Sequence, residues 1–267
     1  MTVHNRREKT LRCLECLYGQ EGGHRFDVFM TDDGCTDGTA EAVANQYPGV
    51  RIVRGDGNLF WCRGMRKAWE AALPGGYEAY FWLNDDTFLF PEALSILEHS
   101  SQRHPGCIIV GETCSAESGR FTYGGRCGKK LEHVEGEVSL DTFDGNIVLV
   151  PDCVCMAIGL LDDRFSHAMG DTEYGLRATS RGIGIWQTGV FSGHCEEHHR
   201  LAAWCDPDVP LGKRWAALSS PLGCPPAEYF YVDRRYRGLG TALKHYFTIH
   251  FRVLFPRLWL RTGSDEA

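Results

Sequence analysis

Three clusters in this chain combine residue types and spacings that could do chemistry. Asn84-Asp85-Asp86 follow four bulky apolar residues, Tyr80-Phe81-Trp82-Leu83. Two adjacent carboxylates are hard oxygen ligands that suit Mg2+ or Mn2+ bridging a diphosphate. A polar turn that merely ends a strand would read the same way. The run Asp32-Asp33-Gly34-Cys35-Thr36-Asp37-Gly38-Thr39 sets a second acid pair side by side. Glycines and helix caps explain much of it, but not the paired carboxylates, where like charges repel. In the third cluster, Gly170-Asp171-Thr172-Glu173 stands at a helix start. The helix macrodipole favours an acid there, whatever else it does.

Other metal-capable groupings are weaker. His194-Cys195-Glu196-Glu197-His198-His199 is crowded for a tetrahedral zinc site, and one histidine serving a metal held elsewhere fits better. Cys13 and Cys16 form a C-x-x-C pair with no second pair at finger spacing. Cys153 and Cys155 lie in an apolar segment and read as core.

The elements that must position these groups follow from periodicity. Phe26–Met30, Val50–Val53, Tyr80–Leu83, Ile108–Gly111, Ile147–Val150 and Gly184–Trp186 read as strands. Helices are expected over Glu8–Leu17, from Thr36-Asp37 to Tyr47, over Gly64–Ala72, from Pro91 through Leu94 and Leu97, and from Gly170-Asp171 to Ala178. Strand, acidic tip and helix alternate, which calls for an α/β fold with a mostly parallel sheet flanked by helices. Ligands of such sheets bind at the carboxyl ends of the strands, where the acid pairs fall. From Ser115 to Asp144, glycines and short alternating runs predict hairpins and loops, a small antiparallel addition.

Bulk properties narrow the class. The chain has 267 residues with a formal charge of −7, which does not fit a basic nucleic-acid binder. No apolar run reaches the roughly 18 residues of a membrane-spanning helix, and Met1–Arg6 has no signal-peptide core. Twelve scattered cysteines without a secretory segment read as reduced thiols in a cytoplasmic protein. From Arg234 to Arg261 there is no Asp or Glu, and Arg234, Arg235, Arg237, Lys244, Arg252, Arg257 and Arg261 alternate with aromatic and aliphatic residues. Such a basic amphipathic stretch fits contact with the inner face of an anionic membrane, or equally a helix packed on protein.

Taken in order, these pieces resemble family 2 glycosyltransferases of the GT-A fold, over roughly residues 3–199. The resemblance rests on Asn5-Arg6 after strand one, a short strand whose tail enters a turn at Val3–Arg6, on the Asp32–Thr39 run, Asn84-Asp85-Asp86, Gly159-Leu160-Leu161-Asp162-Asp163-Arg164-Phe165 and Gly170-Asp171-Thr172-Glu173. Gly57-Asn58-Leu59-Phe60-Trp61 and Tyr123-Gly124-Gly125 further resemble a bacterial rhamnosyltransferase-like branch. The resemblance implies a Rossmann-like central sheet, a nucleotide-binding half over about 1–112, an acceptor-binding half over about 113–205, and a helical C-terminal extension over 206–267. It implies inverting transfer of a sugar from a nucleotide diphosphate sugar, UDP- or dTDP-linked, to a hydroxyl of a saccharide or lipid-linked saccharide in bacterial surface polysaccharide synthesis. Asp171 would be the general base, and Mg2+ or Mn2+ would sit on Asp86 with His194. Asn5, Arg6, Asp32, Asp33, Gly57, Asn58, Arg63, Asn84 and Asp85 would line the donor site. Trp61, Tyr123, Gly145, Asn146 and Glu173 would face the acceptor.

Three departures from the family pattern stand out. Only four residues precede Asn5, Asn84 replaces the first aspartate of the metal motif, and Arg63 falls where a small residue or Asn is usual. Two other functions compete. A nucleotidyltransferase wants a glycine-rich loop after strand one, and Asn5-Arg6-Arg7-Glu8 has no glycine. A non-catalytic nucleotide-sugar-binding protein would not need Asp86, Asp171 and His194 together.

Overall fold

The computed structural model describes residues 1–131, 133–197 and 201–261. The chain divides into two compact units, Met1–Asp163 with Asp171–Glu197, and Arg164–Gly170 with His198–Ala267.

The first unit is α/β. Its elements are β1 (Thr2–Val3), α1 (Arg7–Tyr18), β2 (Phe29–Asp32), α2 (Thr39–Gln46), β3 (Arg51–Arg54), α3 (Phe60–Ala72), β4 (Ala79–Leu83), β5 (Phe88–Leu89) and α4 (Ala93–Arg103). There follow β6 (Ile108–Cys114), β7 (Gly125–Cys127), β8 (Lys129–Lys130), β9 (Val138–Ser139), β10 (Thr142–Phe143), β11 (Ile147–Pro151), α5 (Asp152–Ile158), α6 (Gly170–Ser180) and β12 (Ile185–His194). β1, β2 and β3 form a parallel sheet, with Val3 opposite Asp32 and Asp32 opposite Arg54. A second, mixed sheet runs β4-β11-β6-β12-β5, with β9 against β12. In it β6 and β12 are parallel, while β11 runs antiparallel to both β4 and β6. The antiparallel addition expected between Ser115 and Asp144 is the sheet β10-β7-β8.

The strand expected over Gly184–Trp186 begins at Ile185 and runs on to His194 as one long strand, β12. Its register against β6 shifts between Gln187 and Phe191, and Gly189 there takes a φ of 66°. A bulge with a left-handed glycine absorbs the extra residues and lets the strand continue.

The core joins helix faces to strands. Cys13, Leu14 and Leu17 of α1 pack with Met30, Leu83, Leu97, Ile109 and Ile147. An aromatic group ties β4 to α3 and α6: Trp82 lies 5.2 Å from Trp69 and 5.1 Å from Tyr174, ring centre to ring centre. Large rings at such edge-on distances bury much area and hold the flanking helices to the strand that carries Asn84-Asp85-Asp86.

The second unit is helical: α7 (Leu211–Leu218), α8 (Pro226–Tyr236), α9 (Leu239–Leu254) and α10 (Pro256–Arg261). The basic stretch is thus not one helix. Gly238, at φ 92°, lies between α8 and α9, and Phe255 between α9 and α10, which Pro256 opens. Trp204, Leu218, Cys224, Ile249 and Val253 form its core. Arg252 is buried there with its guanidinium over the rings of Trp204 and Trp259, so this charge serves packing.

Candidate active site

Two of the three acid clusters sit where a strand of the first unit ends, and Asp171 with Glu173 stands in the first turn of α6. β2 delivers Asp32 and Asp33, both buried. Asp32 accepts from the Cys35 N–H at 2.9 Å and pairs with Arg54. Asp33 accepts three backbone N–H bonds, from Gly57 at 2.8 Å, Leu59 at 3.0 Å and Phe60 at 2.9 Å. It thereby anchors the Gly57–Trp61 turn at the start of α3. A Cβ on Gly34 would stand 2.9 Å from the Gly57 Cα, so the two turns approach closely because residue 34 is glycine. Phe60 is held at φ 56°, costly for an aromatic residue, and the Asp33 bonds fix it there. Asn58 lies in this turn and its N–H donates to Asp56.

Asn5, also at positive φ, accepts from the Thr36 N–H at 2.7 Å and so ties the end of β1 to the β2 loop. Asp37 accepts from the N–H groups of Arg7 and Thr39, both at 3.0 Å, bridging the starts of α1 and α2.

β4 delivers the Asn84-Asp85-Asp86 tip. The Arg6 Nη1 donates to Asp85 at 3.1 Å and to Asp86 at 2.9 Å. Burial pushes Asp85 up to about 6; Arg6 opposes this and Asp86 adds to it. Cys195 Sγ lies 4.0 Å from an Asp86 oxygen. Burial first, and Asp86 next, push that thiol up to about 12. Burial also raises the Tyr123 hydroxyl, with Cys195, Glu197, Asp86 and Asp144 adding to it, which sets Tyr123 in the same electrostatic neighbourhood.

A chain of contacts links this tip to Asp171. The Trp61 Nε1–H donates to Asn84 Oδ1 at 2.6 Å. The Asn84 N–H donates to the Asn146 carbonyl at 3.2 Å. Gly145 lies under the Trp61 ring, where a Cβ would meet ring carbon at 2.5 Å and Asp171 Cβ at 3.3 Å. The Gly145 N–H donates to Asp171 Oδ2 at 2.9 Å. Asp171 is pushed up to about 6, by burial first and Asp144 second; the Gly145 and Thr172 N–H groups and Arg126 pull it down. Asp144 in turn accepts two bonds from Arg126, at 3.0 and 2.8 Å.

Like Asp32, Asp33 and Asn5, the expected residues Glu173, Arg63 and His194 are engaged in contacts within the fold. Glu173, expected on the acceptor side, is 1% exposed and pairs with Arg177 at 2.9 Å. Arg63 donates to the Asp163 carbonyl at 2.8 Å. His194 packs edge-on against Phe90 and places Nδ1 3.4 Å from the Cys114 carbonyl. Of the crowded cluster after it, His198 and His199 lie outside the described residues. Arg54 and Arg126 border the site and are not picked out by the sequence, because a single arginine in a short strand carries no pattern that points to its distant carboxylate partner.

Among the described residues no group of three His, Cys, Asp or Glu side chains is placed to hold a metal. Mg2+ at nucleotide sites is commonly held by one or two carboxylates, with substrate phosphates and water completing the shell. The adjacent Asp85 and Asp86, bridged here by a guanidinium, fit that manner of holding a cation. A cleft of about 860 Å3 lined by Phe29, Trp69, Tyr77 and Tyr80 lies elsewhere; neither Asp86 nor Asp171 borders it.

Comparison with known proteins bears on the fold and the family. The solved structure of S. aureus TarS residues 1–349 has a TM-score of 0.59 at 13% identity, covering 98% of this chain and 72% of that one. The same fragment in complex with UDP-GlcNAc has a TM-score of 0.62 at 13% identity, covering 98% and 73%. Against the longer TarS structure the TM-score is 0.59 at 13% identity, covering 94% of this chain and 42% of that one. Identity this low carries the fold alone. No curated protein matches the sequence significantly. The sequence profile described as glycosyl transferase family 2 matches residues 1–158, which include both acid-tipped strands and the Asn5-Arg6 turn. More than half of the chain is covered, and we conclude that it belongs to glycosyl transferase family 2.

Proposed function

We propose that this protein transfers a sugar from a nucleotide diphosphate sugar to a hydroxyl of a saccharide or lipid-linked saccharide, inverting the anomeric centre. UDP-sugars head the donor classes, because TarS was solved with UDP-GlcNAc and shares the fold; dTDP-sugars come next. The role we assign is bacterial surface polysaccharide synthesis at the cytoplasmic side of the membrane, with residues 234–261 facing that membrane.

The observation that carries this reading is the contact chain from Asp171 through Gly145, Trp61 and Asn84 to the Asp85-Asp86 tip. It links a carboxylate of raised pKa to a carboxylate pair suited to a phosphate-bound cation. In this reading Asp171 removes the proton of the acceptor hydroxyl as that oxygen attacks the anomeric carbon, and the nucleoside diphosphate leaves from the opposite face. Asp86, with Asp85, would hold Mg2+ or Mn2+. Bound there, the ion supplies Lewis-acid neutralisation of the charge on the departing diphosphate. Arg6 stands beside the same oxygens and adds a fixed positive charge. Asp32 and the turn anchored by Asp33 border the nucleotide, and Trp61 and Tyr123 face the sugars.

The test is release of nucleoside diphosphate from a panel of UDP- and dTDP-sugars in the presence of saccharide acceptors, with NMR of the product linkage. Acceptor-dependent release with inverted configuration supports the proposal. Retained configuration, or nucleotide binding without turnover on any donor, overturns it; the latter points to a binding protein.

A further inference from the structure

The second unit presents an apolar surface that its own fold leaves uncovered. On α9, Leu239, Leu243, Phe247, Phe251 and Leu254 recur at intervals of three and four residues, and all are exposed, Phe247 by 67%. This is one face of a helix. Ala242, Ile249, Arg252 and Val253 occupy the other and are buried. α9 is therefore apolar on two sides, only one of which is spent on the core. Rings extend the exposed side. Phe251 lies 5.1 Å from Phe255, and Trp215 of α7 lies 5.6 Å from His250, which falls within the same stripe. Trp215 and Phe255 are themselves nearly half exposed. A contiguous aromatic and aliphatic patch of this kind marks a surface that binds something.

Charge identifies what it binds. Lys213, Arg234, Lys244 and Arg257 are exposed, and no Asp or Glu occurs between Arg234 and Arg261. Lys244 flanks the stripe, one position beyond Leu243. A second copy of this chain would bring the same basic face against itself, and like charges would meet across the two-fold interface. No helix among the described residues is long and apolar enough to cross a membrane. A helix with large rings on one side and Lys and Arg beside them lies in the headgroup plane of an anionic bilayer, rings inward and cations at the phosphates.

We infer that the α9 stripe, with Trp215 and Phe255, docks the protein flat on a bilayer bearing anionic headgroups. This deepens the membrane-side part of the proposed function and names the surface. It does not depend on the transfer chemistry, and its test uses neither donor nor acceptor, so failure here leaves the transfer reading standing.

The experiment is flotation of the full chain with phosphatidylcholine vesicles, with and without phosphatidylglycerol. The wild type is expected to float with phosphatidylglycerol vesicles and to remain behind with phosphatidylcholine alone. Added salt is expected to reduce the bound fraction severalfold by screening. Phe247→Ser with Phe251→Ser is expected to abolish flotation while thermal unfolding stays at the wild-type temperature, since both rings are exposed. Lys244→Gln with Arg257→Gln, which touches no apolar side chain, is expected to reduce flotation severalfold. The inference is overturned if the wild type does not float with phosphatidylglycerol vesicles, if it floats equally with phosphatidylcholine alone, or if the ring variant floats like the wild type. It is also overturned if sedimentation velocity shows a dimer that the ring variant dissolves while vesicles bind neither protein, which would make the stripe a protein interface.

Discussion

Arg6 and Asp86, eighty positions apart in the chain, are joined by a hydrogen bond of 2.9 Å. The same guanidinium nitrogen reaches Asp85 at 3.1 Å, so one cation bridges both carboxylates of the β4 tip. Asp85 is buried and Arg6 is half exposed, which puts the pair at the boundary between core and solvent.

Removing Arg6 leaves Asp85 without its nearest positive charge. Its folded-state value, about 6, already exceeds the unfolded value of roughly 3.9. The native state therefore binds more protons between these values, and this group's contribution to stability falls as pH rises from about 4 to about 6. Arg6→Gln raises the folded value further and extends that loss toward neutrality. The variant should be less stable by about 1–2 kcal/mol at neutral pH, a modest figure because water screens Arg6. The deficit should shrink toward pH 5. Denaturant unfolding at the two pH values checks this; a deficit independent of pH would contradict it.

Asp171 must be ionised to act as a base. Its value of about 6 means that transfer should rise with pH through that region and level off above it. Asp171→Asn should lower kcat by about 10²–10⁴-fold with nucleotide binding nearly intact. A pH–rate profile and a nucleotide titration of the variant check both parts. Transfer retained at the wild-type rate would remove Asp171 from the role.

Gly145 is the spacer between Trp61 and Asp171. Gly145→Ala places a methyl where ring carbons of Trp61 stand 2.5 and 2.6 Å away. The indole must move, and its bond to Asn84 is lost. A destabilisation of about 1–3 kcal/mol is expected, with a large fall in transfer. Adding Trp61→Leu should recover the stability but not the activity. Thermal unfolding of the single and double variants tests the spacing; an unchanged melting temperature for Gly145→Ala would refute it.

Asp33 is predicted to matter for folding more than its place in an acid pair indicates. Asp33→Ala deprives three backbone N–H groups of their acceptor and frees the Gly57–Trp61 turn. The cost should be about 2–4 kcal/mol, read by urea unfolding. A loss below about 0.5 kcal/mol would show that water replaces those bonds.

These residues also show what sequence makes legible here. The strand, acidic tip and helix repeats can be read because their periods and caps are local, and the Asp32–Thr39 run carries its turn in its glycines. The directions of β11 and β5 cannot be read, because an apolar run looks the same in either orientation. The full length of β12 cannot be read because the bulge at Gly189 interrupts its alternation. Within the site, long-range pairs escape. Arg6 with Asp85, Arg54 with Asp32, and Arg126 with Asp144 each join residues whose spacing has no pattern. The carboxylate of Glu173 looks as available as that of Asp171, and only the fold shows it buried against Arg177.

The central claim is a donor site at the β4 tip that binds a nucleoside diphosphate through a divalent cation on Asp86. The most direct test is the thermal shift of the wild type and Asp86→Ala with UDP, dTDP and GDP, each with and without Mn2+. A rise is expected with one base, in the wild type, that requires Mn2+ and is lost in Asp86→Ala. An equal shift in wild type and variant with Mn2+ present, or no shift with any nucleotide, would contradict it.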